Sequence, residues 1–143
     1  MIMRKFTGIS FWRIIFLALL AVPRVVLHDL GWLTEGTFIN SLFVFVPVLI
    51  WVAMAVWCED AHPFRMLLAA GIVFGIMLAL VHQIFWTVYF PDVLKLGGNL
   101  AGAPDYISII VTRTAAVVSS LVTGTMMGVL LGGVAFIIRK LIR

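Results

Sequence analysis

Residues 64–90 have the sequence FRMLLAAGIVFGIMLALVHQIFWTVYF, with Arg65 as the one Asp, Glu, Lys or Arg among them. A transmembrane helix needs about 20 consecutive, mostly apolar residues, so this stretch is long enough to cross a bilayer. Strands of membrane barrels are shorter, about 10 residues, and alternate apolar with polar positions. This run is apolar on every side, and it therefore predicts a transmembrane helix.

Three further apolar runs have the same character and, with the first, leave only short links. The fold class predicted is an all-α integral membrane protein, a bundle of four transmembrane helices forming a single domain over residues 1–143. Pro23 and Pro47 lie inside two of the runs and predict kinks, because proline lacks the backbone donor. The predicted helices cover residues 11–33, 37–58, 64–90 and 105–138.

The composition excludes several classes of protein. Of 143 residues, 64% are hydrophobic and 11% are charged, whereas about a quarter of a soluble domain is charged. That scarcity of charge excludes a soluble enzyme, a disordered chain and a separate soluble second domain. The net charge of +4 does not indicate a nucleic-acid partner, because the basic residues are scattered and form no stripe. Membrane lipids are the expected surroundings.

Lysine and arginine counts predict the orientation, because cytoplasmic ends carry an excess of these residues. With the N-terminus inside, the inside ends hold most of them: Arg4, Lys5, Arg13, Arg65, Arg139, Lys140 and Arg143. The outside ends hold Arg24, Lys95 and Arg113. We therefore expect an N-in/C-in, multi-pass protein of the cell inner (plasma) membrane, with the first run retained as an anchor. Dual insertion stays open because the bias is not extreme.

Polar side chains recur at one depth in the outer half of the predicted bundle. Arg24, His82 and Arg113 each lie about 12 Å from the outer end of their helix, at a rise of about 1.5 Å per residue. A charge inside a bilayer is costly, so each is a candidate functional residue. Together they predict a net-positive polar cavity bounded by Thr112 and by the candidate binding residues Arg24, His28, Asn40, His82, Gln83 and Arg113.

A structural role remains open for each of these side chains. Both arginines can extend their long stems to the outer headgroups. They can also form ion pairs with nearby carboxylates, for which the candidates are Asp29, Glu35, Asp92 and Asp105. For His82, the choice lies between an interhelical hydrogen bond and a role as a pH-sensitive gate.

Small residues recur at every fourth position of the fourth run, a glycine-zipper pattern that lets two helix backbones approach closely. They are Ala116, Ser120, Gly124, Gly128 and Gly132, and Gly71 and Gly75 repeat the spacing in the third run. Two interpretations are open. The two stripes pack against each other within one chain, or the fourth helix packs against a neighbouring subunit. The second interpretation predicts a homo-oligomer or a larger membrane-protein partner.

Two functions follow from these features. The first is a small homo-oligomeric transport protein or channel, whose cavity attracts an anion or an anionic headgroup. The alternative is a non-catalytic accessory or assembly subunit of a larger membrane complex, docking through the glycine stripe of the fourth helix. An enzyme is not favoured, because no paired carboxylates or Ser–His–Asp set share one depth. The sequence predicts no catalytic residues, no cofactor and no metal site.

Overall fold

The computed structural model describes residues 2–143, so residue 1 of the predicted domain lies outside the described part. Four of its helices are long and apolar enough to cross a membrane, namely α2, α3, α4 and α6 as numbered below. The predicted all-α four-helix membrane bundle is confirmed, and no strand forms within residues 2–143. In chain order the helices are α1 (Ile2–Thr7), α2 (Phe11–Asp29), α3 (Phe38–Trp57), α4 (Pro63–Ile84), α5 (Trp86–Tyr89) and α6 (Asp105–Ile142), with a 3₁₀ turn at Gly98–Leu100.

Helix α2 ends at Asp29, before the predicted boundary at residue 33. The cause is Gly31, whose φ of +72° lies in the left-handed region that glycine adopts without strain. The Trp32 N–H donates back to a carbonyl of the last helical turn, which satisfies that end. Residues 30–37 therefore form a turn between α2 and α3 and do not extend either helix.

The predicted helix over residues 64–90 is divided in the structure. Phe85 has φ −93° and ψ 11°, which departs from helical geometry and separates α4 from the short helix α5. No proline or glycine in the sequence marks this break. Its consequence is that α5 packs against both α4 and α2, with the Tyr89 ring centroid 5.4 Å from that of His28.

Helix α6 has 38 residues and extends past the predicted end at residue 138. At about 1.5 Å per residue it is about 57 Å long, which exceeds the hydrocarbon core of a bilayer, about 30 Å. Its last turns are tied to the link between α3 and α4. The Arg139 guanidinium donates to the carbonyls of Ala61 and Glu59, at 2.5 and 2.8 Å.

Both ends of the described chain lie at the same end of the bundle, beside residues 58–62. The His62 N–H donates to the Thr7 carbonyl at 2.9 Å. Gly8 packs so closely there that a Cβ would lie 1.7 Å from the Asp60 carbonyl oxygen. We call this the terminal end of the bundle, and we call the opposite end, with residues 30–37 and 85–104, the loop end. The side of the membrane that each end faces stays a prediction.

Small residues mediate the contact between the antiparallel helices α4 and α6. A Cβ added to Gly124 would lie 2.5 Å from the Gly71 carbonyl oxygen and 2.5 Å from the Gly75 Cα. A Cβ on Gly128 would lie 2.6 Å from the Leu67 carbonyl oxygen. In this chain α4 therefore covers the small-residue face of α6. A homo-oligomer stays a prediction, and it needs another face.

An apolar core fills the half of the bundle nearer the terminal end. Trp51 is fully buried in it, and its Nε1–H donates to the Leu17 carbonyl at 2.7 Å. The Trp51 ring meets the Phe74 ring edge to face, with centroids 6.1 Å apart. The surrounding side chains are those of Ile14, Ala18, Ala55, Met66, Leu67 and Ala70.

Candidate functional site

A partly enclosed cavity of about 400 Å³ lies in the loop-end half of the bundle. Ligand-binding cavities are typically about 300–1,000 Å³, so its volume suits a small ligand. Helices α2, α4, α5 and α6 contribute its walls. The Arg, His and Asp residues of the lining are Arg24, His28, Asp29 and His82, the aliphatic and aromatic ones are Val25, Leu78, Trp86, Tyr89, Phe90 and Ala116, and the hydroxyl-bearing ones of α6 are Ser119, Ser120 and Thr123.

A buried carboxylate joins α2 to α4 at the wall of this cavity. Asp29, the last residue of α2, is 2% exposed. One of its oxygens accepts a hydrogen bond from the His82 Nδ1 at 2.6 Å, since an ionised carboxylate can only accept. A buried charge is costly unless it is paired and hydrogen-bonded. The Asp29–His82 pair therefore fixes the spacing of the two helices where the cavity forms.

His28 lines the cavity and lies between two carboxylates. Its Nδ1 is 3.5 Å from an Asp29 oxygen, and its Nε2 is 3.4 Å from Glu35 Oε1. The Tyr89 ring packs against the imidazole. These neighbours hold the imidazole in place, with its Nε2 facing Glu35 on the turn between α2 and α3.

Arg24 reaches from α2 towards the start of α3. Its Nε donates to the Asn40 Oδ1 at 3.1 Å, and its Nη2 lies 3.4 Å from Glu35 Oε1. Charge-assisted N–H···O bonds are usually about 2.7–2.9 Å long, so the contact with Glu35 is a loose one. The Arg24 side chain is 29% exposed, while that of Glu35 is 72% exposed. Asn40 thus orients the guanidinium, and Glu35 contacts it from solvent.

The structure places Gln83 and Arg113 outside the cavity lining. Arg113 Nη1 donates to the Gln83 Oε1 at 3.3 Å, and its guanidinium lies over the Trp86 ring, 5.3 Å from the centroid. With Thr112, Arg113 borders a separate pocket of about 120 Å³. Residues predicted at equal depth in the membrane therefore do not all share one site. Gln83 follows His82 in α4 and is rotated from it by about 100° around the helix axis, so Gln83 meets α6.

The cavity lining contains side chains of both charge signs. It holds one permanent cation, Arg24, and one acid, Asp29, and Glu35, which is outside the lining, contacts Arg24. The permanent positive charge of the lining is therefore that of Arg24 alone.

Asp29 is the site residue that sequence reasoning undervalued. The sequence indicates it only as one of several possible ion-pair partners of the two arginines. A signal was present, since Asp29 is the one acidic residue among the first 34. A lone carboxylate at the end of an apolar run needs a partner, and His82 lies at a comparable depth.

Within residues 2–143, no three His, Cys, Asp or Glu side chains are grouped so that they could hold a metal ion. No protein-family model, curated protein or solved structure matches the chain. The function is therefore inferred from the cavity and its side chains.

Proposed function

We propose that this protein is a small membrane transport protein whose loop-end cavity binds an anion or an anionic headgroup. The observation that carries the proposal is Arg24, a permanent cation that lines a partly enclosed cavity and has only a long contact with a carboxylate. A cation between low-dielectric walls attracts anions more strongly than one on an open surface. His28 is a second nitrogen donor beside it.

The neighbouring side chains have distinct supporting roles in this proposal. Asn40 holds the guanidinium through its Nε, and the terminal Nη2 has only the long contact with Glu35, so it can turn to a ligand. The buried Asp29–His82 pair keeps α2 and α4 at a fixed spacing. A binding site held by rigid helices and ordered partners loses less entropy when its ligand binds.

The apolar core of the terminal half supports a carrier over an open channel. Trp51, Leu17 and Met66 are fully buried there. An unpaired anion pays a large desolvation cost among such side chains. Passage to the terminal end therefore needs a second conformation, which is the behaviour of a carrier.

The accessory-subunit alternative has less structural support. It relies on the small-residue face of α6 as a docking surface, and α4 of the same chain covers that face. A partner would have to bind elsewhere or displace α4.

Ligand-dependent thermal stability tests the binding part of the proposal. The purified protein in a neutral detergent is heated with dodecyl phosphate in a mildly acidic buffer, where the phosphate is mainly a monoanion, and the variants Arg24→Gln and Arg113→Gln are compared. A ligand at about 100 times its Kd stabilises the protein by about 2.7 kcal/mol. We expect this gain in the wild type and in Arg113→Gln, and we expect it to be lost in Arg24→Gln. Equal gains in the two variants contradict the proposal.

Uptake into proteoliposomes tests the transport part. Labelled hexanoate influx is measured at alkaline pH against protein-free vesicles, which give the background. We expect protein-dependent influx that falls to background in Arg24→Gln and persists in Arg113→Gln. If the protein binds its ligand but gives no influx above the protein-free background, it acts as a receptor for that ligand and transport is rejected.

A further inference from the structure

We propose that the ligand of the loop-end cavity is an amphiphilic monocarboxylate, and that the Glu35 side chain occupies the position of its headgroup in the ligand-free protein. The inference rests on the proposed function and names the ligand class of that same site. It begins from the contact that Glu35 makes with Arg24 and His28, which we call the carboxylate clamp.

One oxygen of Glu35 bridges the two halves of the clamp. Glu35 Oε1 lies 3.4 Å from Arg24 Nη2 and also 3.4 Å from His28 Nε2. The clamp is therefore already arranged around a carboxylate oxygen. A carboxylate from a ligand can approach the same two nitrogens from inside the cavity, because Arg24 and His28 both line it.

Glu35 is held weakly enough to be displaced. Its side chain is 72% exposed and both contacts are long, and exposed ion pairs of this kind add little to stability. Glu35 lies on the turn between Gly31 and Gly36, which have φ of +72° and +78° and no atom within 4 Å of an added Cβ. The turn therefore has room to move Glu35 into water.

The charge balance favours a monoanion. In the ligand-free protein the clamp faces one carboxylate, that of Glu35, and Asp29 already pairs with His82. Exchange of Glu35 for one ligand carboxylate keeps that balance. A dianion would bring an additional negative charge near the buried Asp29, which is unfavourable in a region of low dielectric.

Apolar side chains make up much of the remaining lining and can contact an alkyl tail. Val25, Leu78, Phe90 and Ala116 are among them, and the hydroxyl groups of Ser119, Ser120 and Thr123 lie beside them on α6. The part of α6 that lines the cavity, from Ala116 to Thr123, is about 10 Å long at about 1.5 Å per residue. A cavity that combines the clamp with aliphatic and aromatic lining residues fits an alkyl carboxylate better than a small inorganic anion, which would leave those apolar side chains without a contact.

Equilibrium binding of labelled dodecanoate tests the inference. The protein is placed in nanodiscs of zwitterionic lipid, and empty nanodiscs give the background. Glu35→Gln removes the internal competitor, and Glu59→Gln makes the same chemical change on an exposed residue at the terminal end. We expect Glu35→Gln to bind dodecanoate about two- to fivefold more tightly, because an exposed ion pair is lost, and Glu59→Gln to match the wild type.

Several outcomes of the binding and competition measurements would overturn the inference. Equal affinities of Glu35→Gln and Glu59→Gln would reject the role of Glu35. Acetate or dodecanol competing as well as unlabelled dodecanoate would reject the tail or the charge, respectively. Binding of dodecyl phosphate but not of dodecanoate would reject the carboxylate class and leave the proposed function standing. Failure of every anionic probe to bind, with helical content unchanged by circular dichroism, would reject the proposed function itself.

Discussion

The terminal half and the loop half of this bundle are built from the same helices, but different contacts join the helices in each half. In the terminal half, α2 and α3 meet through the fully buried Trp51 and the Leu17 carbonyl, amid apolar side chains. In the loop half, α2 and α4 meet through Asp29 and His82 beside a cavity of about 400 Å³. A well-packed half of a bundle can thus support a neighbouring half that contains charged side chains and a cavity.

The energetic basis of the two halves differs accordingly. Helices in lipid associate through close packing and hydrogen bonds, because the hydrophobic drive between them is absent. The terminal half and the α4–α6 contact supply that packing. A buried carboxylate is weak grounds for stability, because its desolvation offsets the hydrogen bond that it accepts. The Asp29–His82 pair is better explained by the position it gives to the cavity wall.

The largest expected loss of stability comes from the terminal half. Trp51→Ala removes a fully buried indole together with its hydrogen bond to Leu17. We expect it to lower the free energy of unfolding by about 3–5 kcal/mol. Trp57→Ala, at a 68% exposed position of the same helix, is the matched control and should cost far less. Unfolding by SDS in mixed micelles measures both, and similar losses would refute the packing described for α3.

A smaller loss is expected from the loop half. His82→Ala leaves the buried Asp29 carboxylate without its 2.6 Å partner, and a hydrogen bond to a charged group contributes about 1.5–3 kcal/mol. The double variant with Asp29→Asn should recover much of that loss, because the uncompensated charge is gone. A double-mutant cycle measures the coupling, and strictly additive losses would show that the two side chains act independently.

The smallest expected effects come from two glycines of α6, one inside the α4–α6 contact and one outside it. Gly124→Ala puts a methyl group 2.5 Å from backbone atoms of Gly71 and Gly75, while Gly133 has no atom within 4 Å of an added Cβ. We expect Gly124→Ala to destabilise by about 1–3 kcal/mol through overpacking. Gly133→Ala should be neutral or stabilising, because alanine favours helix by about 1 kcal/mol over glycine. Thermal unfolding of the two variants ranks them directly, and the reverse ranking would contradict this helix contact.

The sequence predicted the helices more fully than the site. Long apolar runs are sufficient to predict four spans, but the early end of α2 depends on the backbone of Gly31 and the break at Phe85 has no sequence marker. Depth along a helix identified Arg24 and His82 as well as Arg113. Which of them share a cavity depends on how α4 is rotated against α2 and α6, and that is set by packing between distant segments.

The most direct test of the central claim is the location of a bound amphiphilic carboxylate. A dodecanoate carrying a photoreactive diazirine at its tail is crosslinked to the protein in nanodiscs, and the labelled peptide is sequenced by mass spectrometry with and without excess unlabelled dodecanoate. Competed label is predicted on the α6 segment from Ala116 to Thr123 or on Leu78, and it should disappear in Arg24→Gln but remain in Arg113→Gln. Competed label confined to the terminal half, or unaffected by Arg24→Gln, would contradict the account.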